Sequence, residues 1–316
     1  MFLLGLASLW QAVSGYVDVY SHRFIFTRVD PTLNPAHISL YAASLLGLCV
    51  VLVGWRMASN GVDSQRIKPG ILLAAVGGFG ELLSGLLNEI YHRLYSGTST
   101  LAITHLSIHG LFVASMFIVA LGGMLSAILN YGAGDASNRR RALPSVALCL
   151  SSVWLLVVGS VAYLGGQFGQ SDPLLYLILG SLAASVISVS IFLAVASFGL
   201  IVFASFIFFL VNAIVLYSFA GLEFFLPFPI LAGSLAELSS RRLEKFGRVR
   251  HSLLSGALTG LLSYWLLYQF SFDMMPLTRL FTSAGIFVVV FAGAVGGLLA
   301  LLISTVGGKK VIRLFH

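Results

Sequence analysis

The feature that most constrains this chain is a succession of long apolar stretches separated by short polar loops. Between Pro173 and Leu222 there are 50 consecutive residues without one charged side chain, whereas a helix needs only about 20 apolar residues to cross a bilayer. Over all 316 residues, 58% are hydrophobic and 9% are charged. Soluble domains carry about 25% charged residues. The sequence therefore predicts an all-α fold, a polytopic integral membrane helical bundle.

The apolar stretches predict about ten transmembrane helices. The long uncharged stretch is divided near residues 197–199, because it exceeds the length of one span. The eighth span is short and contains Pro227 and Pro229, which predict a kinked or re-entrant segment. The predicted spans are 2–22, 37–57, 69–94, 101–131, 142–165, 173–196, 199–220, 222–240, 250–271 and 280–305.

The distribution of basic residues predicts the orientation of these helices. With the N-terminus in the cytoplasm, 14 of the 18 Lys and Arg residues fall in inner segments, as the positive-inside rule requires. This favours an even number of spans, with both termini cytoplasmic and the protein integral to the cytoplasmic (plasma) membrane. The net charge of +7 is then explained by basic residues in the cytoplasmic loops. The predicted partner is the lipid bilayer, and no nucleic-acid partner is implied.

A polar loop between residues 131 and 142 divides the chain into two predicted modules. Residues 1–131 contain four spans and most of the polar intramembrane groups, and residues 142–316 contain six spans of unknown role. In the second module, Glu237 stands just before Arg241 and Arg242, which predicts a solvated helix end. Gly293 and Gly297 have the small-residue spacing that is typical of close helix contacts.

The first module contains an internal repeat of polar residues. Each of the first two spans has a counterpart about 70 positions further along the chain, so that the first four spans form two related hairpins. Ionisable groups inside membranes are costly and are usually functional. The matched positions are Gln11 with Glu81, Ser14-Gly15 with Ser84-Gly85, Asp18 with Asn88, His22-Arg23 with His92-Arg93, His37 with His105, and Tyr41 with His109.

The repeat predicts two metal sites near the outer leaflet. Residues four apart share a helix face, so Asp18 lies with His22, as Asn88 does with His92. Two imidazoles with one carboxylate suit copper or iron, and zinc is an alternative; the set with Asn88 is less anionic. The alternative reading is that these are buried histidines bonded to neighbouring groups. The predicted ligands are Asp18, His22 and His37 for one site, and Asn88, His92 and His105 for the other.

Five further polar residues are predicted to supplement or support the metal sites. His109 is either a ligand or a donor that orients one, and Tyr41 is a supporting or interfacial group. Glu81 is a proton relay, a ligand from below, or a neutral buried acid bonded to a neighbour. Glu89 either assists the metal or pairs with Arg93. Gln11 is predicted to be an amide in helix packing.

At these residues a family resemblance emerges. The run from Asp18 to His22, followed by His37, resembles the copper motif Asp-x3-His-x12-His in the C subunit of membrane-bound copper monooxygenases. This family includes particulate methane monooxygenase and ammonia monooxygenase. Asn88 and His92, followed by His105, resemble the second set of that subunit. The resemblance covers residues 1–131, about two fifths of the chain.

The resemblance implies copper at both sites and dioxygen-dependent hydroxylation of a small apolar substrate. It also implies other membrane subunits and a soluble cupredoxin-like subunit as partners. No catalytic residue is assigned, and the enzyme assignment is therefore conditional on those partners. A non-catalytic copper-binding, transfer or assembly factor, or an accessory subunit, is the alternative. A metal or proton transporter ranks lower, because the later spans lack the polar midplane residues that are typical of transporters.

Overall fold

The computed structural model is all-helical in the parts of the chain that it describes. These are residues 1–24, 35–59, 66–95, 102–133, 136–168, 173–194, 199–220, 237, 244–274 and 283–314, with some side chains inside these ranges left aside. Within them the structure contains nine α-helices, 3-10 conformation at residues 66–67 and at Glu244–Phe246, one further helical residue at Glu237, and no strand. The all-α prediction is confirmed for these residues.

The nine helices coincide with nine of the predicted spans. Apart from Glu237, the predicted eighth span lies outside the described residues. Proline occupies the first helical turn of α2, α3 and α6, where a missing N–H costs nothing. The helices are α1 (Phe2–Phe24), α2 (Pro35–Ser59), α3 (Lys68–Tyr95), α4 (Ala102–Ala133), α5 (Ala136–Phe168), α6 (Pro173–Ala194), α7 (Leu200–Ala220), α8 (Arg248–Met274) and α9 (Ser283–Leu314).

Four of the described segments are long and apolar enough to cross a membrane. They are Pro35–Ser59, Lys68–Tyr91, Ile108–Tyr131 and Gly285–Thr305. Large apolar side chains such as Leu52, Leu86 and Phe287 are exposed on their surfaces. Water would penalise such exposure, whereas lipid tails would not. The chain is therefore consistent with a membrane protein whose helices contact the bilayer.

The chain divides into two compact units, the first made of residues 1–156 and 211–223. In this unit α1 packs against α2 and α4, and α3 packs against the same two helices, which forms a closed ring of four. One end of the ring is filled by a small apolar core contributed by all four helices. This core consists of Leu4, Val51, Ala58, Ile71, Ala74 and Val119.

Glycines let α3 and α4 approach to backbone contact within this unit. A Cβ added at Gly122 would lie 2.4 Å from the Ala74 nitrogen, and one added at Gly70 would lie 2.6 Å from the Gly122 oxygen. At Gly77, an added Cβ would lie 2.7 Å from the Ser115 oxygen. These distances are far below van der Waals contact, so the hairpin needs hydrogen atoms at these positions.

The second unit is made of residues 157–210 and 224–316, and in it α6, α8 and α9 pack against one another. A Cβ at Gly293 would lie 2.4 Å from the Gly256 oxygen, and one at Gly297 would meet the Ser252 carbonyl. The predicted close helix contact at Gly293 and Gly297 is therefore confirmed. The Ser185 hydroxyl donates to the Gly256 carbonyl at 2.9 Å, which adds α6 to this contact.

Candidate metal centre

The structure brings together two of the three predicted ligands of the first site. Asp18 lies on α1, two turns before its end, and His37 lies in the first turn of α2. His37 Nε2 is 3.1 Å from Asp18 Oδ1. The residues are 4% and 7% exposed, respectively, so the pair is buried between the two helices.

This separation is suitable for two ligands of one metal ion. Two donor atoms bound about 2.1 Å from a metal at a right angle lie about 3.0 Å apart. The same separation is also that of a direct contact between the imidazole and the carboxylate, as the alternative reading of buried histidines bonded to neighbouring groups requires. His22 lies on α1, one turn beyond Asp18, as the motif requires. Its side chain lies outside the described part of the structure.

The second predicted set is described at Asn88 alone. Asn88 lies on α3 and is 8% exposed. Among the residues that the structure describes, its Oδ1 has no hydrogen-bond partner. His92 belongs to α3 and His105 to α4, but the side chains of both lie outside the described residues.

The supporting residues take different places around these sets. Tyr41 lies one turn from His37 on α2, with ring centroids 6.2 Å apart, and it approaches α3 at Gly85. His109 and Glu89 are half-buried on α4 and α3. Arg93, the alternative partner of Glu89, has its side chain outside the described residues. Among the residues with described side chains, which do not include His22, His92 and His105, no group of three His, Cys, Asp or Glu residues is close enough to hold a metal.

Gln11 and Glu81 form a direct contact that joins α1 to α3. Gln11 Nε2 donates to Glu81 Oε2 at 2.9 Å, and each residue is 1% exposed. Gly47 allows α2 to close over the amide, because an added Cβ there would lie 2.8 Å from Gln11 Nε2. The predicted helix-packing role of Gln11 is confirmed. Glu81 is bonded to a neighbour, as one of its three predicted roles requires.

A hydroxyl network on the outer side of α1 was not predicted from the sequence. The hydroxyls of Ser14 and Ser39 are 2.8 Å apart, and the indole of Trp10 donates to Ser39 at 3.1 Å. Ser14 is one turn from Asp18 and Ser39 is two residues from His37. The network therefore fixes α1 against α2 beside the candidate ligands. The pairing of Ser14 with Ser84 in the repeat is the only sequence signal that pointed to it.

The prediction of a solvated helix end at Glu237 was wrong. Glu237 is 2% exposed, and its carboxylate accepts hydrogen bonds from the backbone N–H groups of Gly199 and, at 3.3 Å, Val202. It caps the N-terminus of α7, where the helix dipole favours negative charge. Gly199 has φ +86°, which suits glycine at this turn. The neighbouring arginines suggested that Glu237 is exposed to solvent. It is buried instead, because its carboxylate contacts the start of α7, 38 residues earlier in the chain.

Comparisons with known proteins do not place the chain in a family. No family model, no curated protein and no solved structure matches it.

Proposed function

We propose that this chain is an integral membrane copper-binding protein whose first four helices hold two metal sites. The Asp18–His37 pair supports this proposal most directly. A carboxylate and an imidazole meet at 3.1 Å in a buried position, and they occupy two of the three positions of the Asp-x3-His and His motif. Two such donors are an expensive choice for a membrane interior unless they bind something.

The internal repeat extends this proposal to a second site. Asn88 is the counterpart of Asp18 and is likewise buried. Gln11 and Glu81, which are matched positions, contact each other, as a residue on a two-fold axis contacts its own counterpart. A rotation that exchanges α1 with α3 and α2 with α4 also preserves the neighbours of the ring. These contacts support two like-built hairpins around one axis along the membrane normal.

Ten spans with cytoplasmic termini complete the proposal. Glu237 is itself helical and buried, and its carboxylate accepts hydrogen bonds from backbone N–H groups at the start of α7. A helical residue here supports a tenth helix at the predicted eighth span. With ten spans, the positive-inside rule would put the metal sites toward the outer leaflet, where α1 ends and α2 begins.

The donor sets indicate different charges at the two sites. Asp18, His22 and His37 would hold copper with one negative charge, and Asn88, His92 and His105 with none. The second site would thus favour the ion of lower charge. When bound, copper supplies redox chemistry with dioxygen. The protein supplies burial: Asp18 is shielded by α2, and the Met116 side chain covers the neighbouring turn at Gly15.

The proposed reaction is hydroxylation of a small apolar substrate that enters from the lipid. Catalysis rests on the family resemblance, and partner membrane subunits with a cupredoxin-like subunit would supply electrons. Without catalysis, the same ligands would serve copper storage, transfer or assembly. Reductant- and dioxygen-dependent product formation with the partner subunits present separates the two. Absence of product from a broad panel of small substrates would leave the metal-binding function alone.

Metal analysis of purified variants tests the binding proposal directly. We expect His22→Ala and His92→Ala each to lose the copper of one site, and each to remove one component of the Cu(II) electron paramagnetic resonance spectrum. His251→Ala is the matched control, because His251 is a buried histidine in the second unit outside both sets. Full copper content in both test variants would refute the ligand assignment. Equal loss in the control would indicate a general folding defect.

A further inference from the structure

Glu81 carries a carboxyl group in the interior of the first four helices without a cation beside it. It is 1% exposed, and its described hydrogen-bond partner is the neutral amide of Gln11. Within the described residues no basic side chain forms an ion pair with it. An ionised carboxylate in such surroundings is disfavoured, and the group takes up a proton instead.

The hydrogen-bond inventory of the pair also calls for a proton. Gln11 Nε2 donates to Glu81 Oε2 at 2.9 Å and to the Ala43 carbonyl at 3.5 Å. In the described part of the chain, Gln11 Oε1 and Glu81 Oε1 have no partner. An ionised carboxylate accepts only, whereas a protonated one also donates. A proton on the Glu81 carboxyl would therefore add one hydrogen-bond donor to a pair that has more buried acceptor atoms than donors.

A polar column on α2 connects this pair to the Asp18–His37 pair. His37, Tyr41 and Ser44 share one face of α2, since they are separated by four and three residues. The Ser44 hydroxyl donates to the Leu40 carbonyl at 3.0 Å, and the carbonyl of its neighbour Ala43 lies 3.5 Å from Gln11 Nε2, so α2 passes the Gln11–Glu81 pair at this point. The same distance separates the two ends of the column on both helices. Gln11 is seven residues from Asp18 on α1, and Ser44 is seven residues from His37 on α2, which is about 10 Å of helix in each case.

We infer that Glu81 and Gln11 form a buried proton-binding site at one end of a polar column whose other end is the Asp18–His37 pair. The Glu81 carboxylate gains one proton and loses its charge, and no electron moves. The inference of proton binding depends only on the Glu81–Gln11 pair. The use of that proton at the metal sites rests on the proposed function, where reduction of dioxygen consumes protons.

The neighbouring helices present few other titratable groups to this site. Their described candidates are Tyr16 and Asp18 on α1, His37 and Tyr41 on α2, and His109 on α4. Of these groups, Asp18 and His37 contact each other at 3.1 Å.

Infrared spectroscopy of the metal-free full-length protein in lipid nanodiscs tests the site. At neutral pH we expect a protonated-carboxyl C=O band that Glu81→Gln removes and Glu89→Gln, the matched control on α3, keeps. The double variant Gln11→Glu with Glu81→Gln exchanges the two side chains and is expected to restore the band. Gln11→Leu is expected to shift it to higher frequency, because the carbonyl loses its donor. An unchanged spectrum in Glu81→Gln, or a sodium-dependent carboxylate band in the wild type, would overturn the inference.

Deuterium exchange of the same band tests the column. Tyr41 stands between His37 and Ser44 on this face of α2, and Tyr41→Phe, which removes its hydroxyl, is expected to slow the exchange of the Glu81 proton. An unchanged exchange rate would refute the route through Tyr41. Copper content is measured on the same samples: Glu81→Gln is expected to retain copper, whereas loss of the band together with loss of copper would reassign Glu81 as a ligand. Failure of copper binding in wild type, with the band intact, would refute only the proposed function.

Discussion

Replacing Gly122 by alanine is expected to destabilise the α3–α4 hairpin strongly. The added Cβ would lie 2.4 Å from the Ala74 nitrogen and 2.6 Å from the Gly70 oxygen. Both are backbone atoms, so no side chain can swing aside. The two helices would have to separate by about 1 Å, in an interior packed as densely as a crystal. We estimate an overpacking cost of about 3 kcal/mol, from which the better helix propensity of alanine subtracts about 1 kcal/mol.

Gly110→Ala provides a matched control on the same helix. A Cβ at Gly110 meets no described atom within 4 Å, so only the propensity gain remains, and the variant should be stabilised by about 0.5–1 kcal/mol. Gly78→Ala is an intermediate case, since its nearest atom at 3.3 Å is the flexible end of Leu48. The expected order of stability is therefore Gly110→Ala, then Gly78→Ala, then Gly122→Ala.

Equilibrium unfolding in mixed micelles, titrated with SDS and followed by circular dichroism, measures these differences. We expect about 3 kcal/mol between Gly110→Ala and Gly122→Ala, which follows from the two propensity and packing values. The helices that would separate carry Asn88, His92 and His105, so copper loss in Gly122→Ala should affect the second site first. A Gly122→Ala protein as stable as wild type would refute the close backbone approach.

Two further predictions concern the second unit. Glu237→Ala should cost about 1–2 kcal/mol and speed amide hydrogen exchange at Gly199 and Val202, because both N–H groups lose their acceptor; unchanged exchange would contradict the cap. Ser185→Ala should cost only about 0.6 kcal/mol in thermal unfolding, because the Gly256 carbonyl that it contacts keeps its place in the helix. A loss above about 2 kcal/mol would show that this hydroxyl has a larger role than a typical interhelical bond.

The helices could be predicted from the sequence because each is encoded by its own apolar run. Their ends were less predictable. The sequence predicts the fifth span at 142–165, whereas α5 begins at Ala136 and includes Arg139 to Arg141. Backbone hydrogen bonds continue beyond the hydrocarbon, and hydropathy does not register that extension. Pro144 lies inside this helix, although proline normally marks a boundary.

The candidate site was predictable to a smaller extent. The spacing of Asp18 and the position of His37 predicted one site, and the two residues meet. The spacing also matched Gln11 with Glu81, but nothing in it predicted that the matched residues touch. For Glu237, the local arginines led to the wrong environment, because its partners are backbone groups far away in the chain.

By itself, the sequence of this protein determined the helices, their apolar character and which polar residues share a helix face, because these depend on the local 3.6-residue period. Only the tertiary structure decided which faces meet. That choice depends on the rotation and separation of neighbouring helices, which the glycine contacts at Gly70 and Gly122 and at Gly256 and Gly293 set. A buried carboxyl finds an imidazole, an amide or a helix N-terminus only after those contacts are made, and so Asp18, Glu81 and Glu237 have three different partners.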